Sequence, residues 1–456
     1  LKLKKKLTST MIYHAKKYLF FSLFILFSTS IAAQNFEWDG SYGGSNKDVA
    51  HSIQNTDDGG YIVAGETESD DGDVSGNNDF RDLWILKLDG LGNIQWEVNY
   101  GGSGSEVANS VQQTADGGFI VAGFARSSDG DVSGNNGLSD YWVLKLDGSG
   151  NIEWEKNYGG SSVDEAQSIL ATDDGGYFVA GNSESDDGDV SDNNGLDDYW
   201  VLKLDGSGNI EWEENYGGSL SEKAYSTQTT DDGGYIVAGE SKSDNGDVSG
   251  NNGSDDYWLV KLDTSGNIQW ETNYGGSFND EAYSVQQNPN GGYIVAGRSN
   301  SDDGDVSGNY DFHDYWILKL DGSGNIEWEQ NYGGNGNDGA KTIATSDDGG
   351  YIVTGYSGSQ DGDISSGNNW GAWLLKLNSL GNIEWENNIL VNDNENVNAK
   401  VNSIKKTEDG GYILAGQESF SSNNNGFIDF WIVKLSGSNM GISGYDKLHN
   451  INIYPN

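Results

Sequence analysis

The chain contains no cysteine and only four histidines among its 456 residues. The first absence excludes a disulfide framework, so the fold must be held by packed cores or by metals, and stacked repeats make cores sufficient. The histidines stand at His14, His51, His313 and His449, at unrelated places, and a lone histidine on a polar strand or loop is ordinarily a solvated side chain. Basic residues are scarce too: 25 against 71 acids gives a net charge of −46. Such a surface repels nucleic acid and anionic membranes, and favours cations, cationic partners or plain solubility. No apolar run is long enough to span a bilayer with ease, and no helical periodicity of useful length occurs beyond the first 33 residues.

Those first 33 residues hold six lysines and no acid, an apolar run from Tyr18 to Phe27, and a small-residue exit from Ser28 to Gln34. The pattern is that of a secretory signal peptide, which makes the expected address secreted or cell-surface. Met11 is the better start, leaving Lys16 and Lys17 as its basic flank.

What fills the rest is one unit, repeated. A Gly-Gly-aromatic corner recurs at Tyr61, Phe119, Tyr177, Tyr235, Tyr293, Tyr351 and Tyr412, in five steps of 58 residues and one of 61. Seven copies at this spacing are the signature of a solenoid or propeller. In the second copy, turn residues cut the chain into four strands: Glu106 to Thr114, Phe119 to Gly123, Tyr141 to Asp147 and Asn151 to Tyr158, here a, b, c and d. Strands b and c are apolar on both faces and so need neighbours on both.

The fold expected is all-β: a seven-bladed β-propeller of four-stranded blades over residues 34–436, each blade packing on the next. Asn35-Phe36-Glu37-Trp38 is a d strand with nothing before it, and the last repeat ends at strand c, Trp431 to Leu435. The N-terminal strand therefore completes the last blade and removes open edges. An open β-solenoid is the alternative, but it has no use for complementary ends.

The corner, the paired tryptophans and the hairpin Leu-Asp-x-x-Gly-Asn-Ile-x-Trp (Leu146 to Trp154) resemble the tandem propeller repeats of exported Bacteroidetes proteins. Asn450-Ile451-Asn452-Ile453-Tyr454-Pro455-Asn456 is similar to the opening of the type IX secretion C-terminal sorting domain. That likeness implies a linker and the start of a sorting domain over residues 437–456, continuing beyond Asn456. It also implies export machinery as a partner and outer-membrane export with surface attachment or release. Asp147, Gly150 and Trp154 echo the tryptophan-docking motif of quinoprotein propellers. Lys145 replaces its alanine and its threonine is missing, so only the docking role of the tryptophans carries over.

Two repeated positions take fourteen tryptophans: Trp38, Trp96, Trp154, Trp212, Trp270, Trp328 and Trp385 on strand d, and Trp84, Trp142, Trp200, Trp258, Trp316, Trp373 and Trp431 on strand c. Aromatic rows can bind sugars, but large rings between blades serve first as packing. Lys87, Lys145, Lys203, Lys261, Lys319, Lys376 and Lys434 share one c position, where each stem should lie on apolar surface with its head on a carboxylate. Small residues at Ala50, Ala108, Ala166, Ala224, Ala282 and Ala340 suit a crowded innermost strand.

The b–c loops carry Asp-Gly-Asp: Asp71 and Asp73, Asp129 and Asp131, Asp187 and Asp189, Asp303 and Asp305, Asp361 and Asp363, with Asn245 and Asp247 in the fourth copy. In a propeller these loops share one face with the acidic d–a loops. Carboxylates, amides and backbone oxygens in tight turns are what calcium takes, although the helix-loop-helix spacing and its closing glutamate are missing. The other reading is an Asx turn on a solvated acidic face.

Catalysis has no foothold in near-identical copies, which offer the same side chains seven times rather than different groups at one point. Departures concentrate late, at Trp370-Gly371-Ala372 and in the seventh copy. They suit an end blade adapting to closure, or a unique pocket there. The function expected is a non-enzymatic, monomeric exported propeller whose acidic face binds polysaccharide or a surface protein multivalently, with calcium as its one candidate cofactor. A polysaccharide hydrolase or lyase, and a passive surface spacer, are the alternatives.

Overall fold

The computed structural model describes residues 36–437, apart from 78–79, 310–311, 365–369, 390–396 and 421–427. The leader and the sorting-like tail lie outside the described residues. The described chain forms 28 strands and no helix. They make seven four-stranded sheets, each antiparallel and in simple sequence order, except that one sheet runs Phe36–Tyr42, Ile428–Leu435, Tyr412–Phe420, Val397–Lys406. The N-terminal strand thus supplies strand d of blade 7, and the chain is an all-β, seven-bladed propeller. Strand a of every blade packs on strand a of the next, and that of blade 7 on that of blade 1, so seven a strands ring a central channel.

In blade 2 the strands are Glu106–Gln113, Phe119–Ala125, Asp140–Leu146 and Ile152–Tyr158. Strands b and c run further towards the b–c loop than the sequence pattern sets them, because the ladder continues through Phe124↔Tyr141 and Ala125↔Asp140. At the a–b corner Gly117 takes φ +84°, and Asp116 Oδ1 accepts from Thr114 Oγ1 at 2.5 Å and Gly118 N at 3.0 Å. Lys145 reaches this corner, 3.0 Å from Asp116 and 2.9 Å from Glu153. Every c-strand lysine meets at least one such carboxylate.

The tryptophans divide two tasks. Those on strand c are buried, and in six blades the indole N–H donates to a glutamate on strand d, as Trp142 to Glu155 at 2.9 Å. Blade 7 has Asp39 at the glutamate position, one methylene shorter, and Trp431 Nε1 has no partner among the described residues. Those on strand d lean across to the next blade, where Trp96 meets Phe119 edge-on at 5.8 Å and lies over Gly150. Tyr100 Oη completes that junction by donating to Gly150 O at 2.5 Å.

One irregularity repeats in every a strand. The register against strand b shifts between Ala50 and Ser52, and likewise at each later copy, which is a β-bulge with one unopposed residue. A serine of the preceding blade accepts an amide just past the bulge, as Ser52 Oγ does from Val111 N at 3.3 Å. The unopposed side chain is turned to the channel.

Candidate functional site

The Asp-Gly-Asp loops act as clamps between loops. The first residue accepts from a backbone amide of the d–a loop: Asp71 from Ser45, Asp129 from Ser103, Asp187 from Ser161, Asp303 from Ser277 and Asp361 from Asn335, at 2.6 to 2.8 Å. Asn245 does the same with Ser219 N at 2.9 Å, so the place calls for an acceptor rather than a charge. The second residue, Asp73, Asp131, Asp189, Asp247, Asp305 or Asp363, accepts from the first glycine of that d–a loop at 3.2 to 3.4 Å. The glycine between takes φ +66° to +72°, and a Cβ at Gly188 would stand 2.3 Å from Gly159 O. One oxygen of each carboxylate is thereby committed to holding the d–a loop, which is the Asx-type turn role rather than a metal role. Among the described residues no three of His, Asp and Glu are grouped to hold a metal.

The copies differ where their side chains meet. Four positions that vary from blade to blade sit together at the channel mouth, on the face of the d–a and b–c loops. They are the second residue of strand a, the bulged residue, the sixth of strand b, and the residue before the Asp82-type position of strand c. Blade 1 presents Val49, His51, Glu66 and Arg81; blade 4, Lys223, Tyr225, Glu240 and Asp255; blade 5, Glu281, Tyr283, Arg298 and His313; blade 6, Gly339, Lys341, Tyr356 and Trp370. Blade 7 adds Lys400 and Asn402. The expectation that seven copies offer the same groups fails at these positions.

The mouth divides into sectors. In blades 1 to 4 cations are paired with acids: Lys47 and Arg81 with Glu66 at 2.6 and 3.0 Å, Arg126 with Glu165 at 3.3 Å, Lys223 with Asp197 at 3.7 Å, Lys242 with Asp255 at 3.2 Å. Glu240 is pushed up to about 7 by burial and by Glu281 and Asp255. From Tyr225 of blade 4 through blade 7 aromatics and cations interleave. Arg298 grips Glu281 at 2.7 and 3.1 Å and donates to Tyr356 Oη at 3.2 Å. Tyr225 and Tyr283 stand 5.2 Å apart, and Lys341 Nζ lies 3.2 Å from the Tyr283 ring centre. Trp370, 40% exposed, stacks on Tyr356 at 5.6 Å, and Lys400 Nζ lies 5.0 and 5.9 Å from these rings. Burial, reinforced by Arg298 and Lys400, lowers Lys341 to about 7.

Two histidines that sequence treats as solvated belong here. His51 Nε2 is 3.9 Å from Glu66, and His313 Nδ1 is 3.4 Å from Asn337 Oδ1, its pKa lowered by burial and by Arg298. The only sequence signal for this site was variation against a constant repeat, with Trp370 its clearest instance.

A second feature repeats at the blade junctions. Asp140 and Asp164, buried on facing strands, bring oxygens to 2.9 and 2.5 Å of the point where a Gly159 Cβ would be, and Asp198 and Glu222 do the same at Gly217, at 2.3 and 2.8 Å. Among the described residues, Oδ1 of Asp140, Asp198 and Asp256 has no hydrogen-bond partner. Burial first, then the facing acid, pushes Asp140 up to about 6 and Asp198 and Asp256 to about 7. A shallow recess of about 350 Å³ between blades 1 and 2, lined by Asn46, Glu68, Phe80, Arg81 and Ser105, lies on the same face. No helix among the described residues is long and apolar enough to cross a membrane.

No family model matches the chain. A stretch of 216 residues is 27% identical to the regulatory protein FlaEY of Caulobacter vibrioides, covering 43% of this chain and 22% of that protein, so the chain spans under a quarter of the relative's length. Among solved structures, the Pan2 WD40 domain of Neurospora crassa is similar with a TM-score of 0.46 at 12% identity, over 84% of this chain and 88% of that one. The NanB sialidase of Streptococcus pneumoniae, as its K499G mutant, is similar with a TM-score of 0.43 at 11% identity, over 91% of this chain and 72% of that one.

Proposed function

We propose that this propeller is a binding module of an exported, cell-surface protein, with one ligand site at the channel mouth of blades 4 to 7. The carrying observation is that the positions free to differ between copies converge there, while the repeated groups are spent on packing and turns. A mouth that exposes the Trp370 ring, beside part-buried tyrosines and charged groups of both signs, suits a polysaccharide segment. This replaces a multivalent acidic face by a single asymmetric site. Export and surface attachment rest on the leader and on the likeness of the tail to a type IX sorting domain of Bacteroidetes.

The test is retention of cell-surface polysaccharides by the full chain on a glycan array, comparing Trp370→Ala and Tyr356→Ala with Asp187→Asn and Asp189→Asn. Binding lost in the first pair and kept in the second supports the proposal. Stepwise loss on neutralising successive loops would restore the multivalent face. Shortened glycan products would make the protein a hydrolase or lyase, and retention of nothing would make it a spacer.

A further inference from the structure

Lysine is a costly residue to leave unpaired near low-dielectric surface, and this chain has acids to spare. Around the channel mouth, nearly every cation has a carboxylate within 4 Å. Two lysines at the mouth in blades 6 and 7, Lys341 and Lys400, have none among the described residues. In a protein of net charge −46, ammonium groups on two adjacent blades with no carboxylate within 4 Å among the described residues stand out from the other cations of the mouth.

We propose, resting on the binding role argued above, that the mouth takes a carboxylated saccharide, its acid group on Lys341 and Lys400 and its ring against Trp370. Lys400 and Trp370 share one patch, 5.9 Å apart, so an anion and a sugar face can be held by neighbouring groups. Trp370, 40% exposed and backed by the buried Tyr356 ring at a tilt of 24°, is a flat surface of the kind on which the C–H face of a pyranose rests. Arg298 is already committed to Glu281 and holds Tyr356 in place, which makes it a positioning residue. The overall negative charge does not forbid this partner. At physiological ionic strength screening acts over about 8 Å, so an oligosaccharide at the mouth responds to the nearest charges.

Lys341 is faced by Arg298, Glu281, Lys400 and Glu240 and lies on Tyr283. Its proton is loosely held near neutrality, and an arriving carboxylate would tighten it. Affinity should therefore fall as pH rises from 6 to 9, and the fall should be weaker in Lys341→Arg, whose guanidinium stays charged.

The experiment is calorimetric titration of the full chain with tetragalacturonate, cellotetraose and a tetraglutamate peptide, on the native protein and on Lys400→Gln, Lys341→Arg and Trp370→Ala. Unchanged unfolding midpoints identify the variants that fold. The expected result is binding of tetragalacturonate alone, weakened at least tenfold by Lys400→Gln and by Trp370→Ala. Equal binding of cellotetraose, indifferent to Lys400→Gln, would overturn the acidic ligand and leave the binding role standing. Tetraglutamate binding that survives Trp370→Ala would overturn the saccharide in favour of an acidic peptide. Failure of all three probes together with a blank glycan array would remove both the acidic ligand and the binding role.

Discussion

Lys341 sets its ammonium 3.2 Å from the centre of the Tyr283 ring, across the junction of blades 6 and 5. The ring face supplies a cation–π attraction but no hydrogen-bond acceptor, and burial with Arg298 nearby lowers the amine to about 7. After reductive methylation with ¹³C-formaldehyde, one dimethyl-lysine resonance should titrate near neutrality and vanish in Lys341→Arg. If all lysine signals titrate above 9, the described environment of Lys341 is wrong.

The buried acid pairs make stability fall as pH rises. Asp198 and Asp256 have folded pKa values of about 7 against an unfolded value near 4, so the native state binds more protons over that interval. Their favourable contribution is complete below the unfolded value and lost through pH 7. The corner acids act oppositely: Asp116, bonded by Thr114 and Gly118 and paired with Lys145 against its own burial, is held at about 2, and its contribution is lost as pH falls from 4 to 2. The unfolding midpoint should peak between pH 4 and 6 and decline towards pH 8.5. Asp198→Asn keeps the oxygen that accepts from Asn194 N at 2.8 Å and should flatten the decline, stabilising the protein at pH 8.5 by about 1–3 kcal/mol.

Asp39→Glu should stabilise the propeller. Six blades satisfy their c-strand indole with a glutamate, and Trp431 lacks only the methylene that Asp39 does not supply. Making that bond should add about 1 kcal/mol, read as a higher denaturant midpoint at unchanged slope. The converse, Glu155→Ala, leaves Trp142 Nε1 buried and unpaired and should cost about 1–3 kcal/mol.

Asp303→Asn should be nearly neutral, because Asn245 already fills the same place in blade 4. Asp305→Ala removes the acceptor for Gly275 N and should destabilise by about 1 kcal/mol. Midpoints measured in millimolar calcium and with chelator should agree. A clear rise with calcium, abolished by Asp303→Asn, would return these loops to metal binding.

By itself the sequence determined the architecture: seven copies, four strands in each, and ends that complement one another. The reason is local, since the spacing of turn glycines and the apolar runs of strands b and c dictate a blade wherever they occur. Only the tertiary structure decided where the chemistry lies. Tyr225, Tyr283, Lys341 and Lys400 are some 58 residues apart in succession, and a bulge invisible in the pattern aims the first three of them into the ring. The Asp-Gly-Asp acids were plain in the sequence, but whether they serve a metal or a neighbouring loop depends on which amides face them. Those amides come from a d–a loop 26 to 30 residues earlier, brought into contact only when the blade closes.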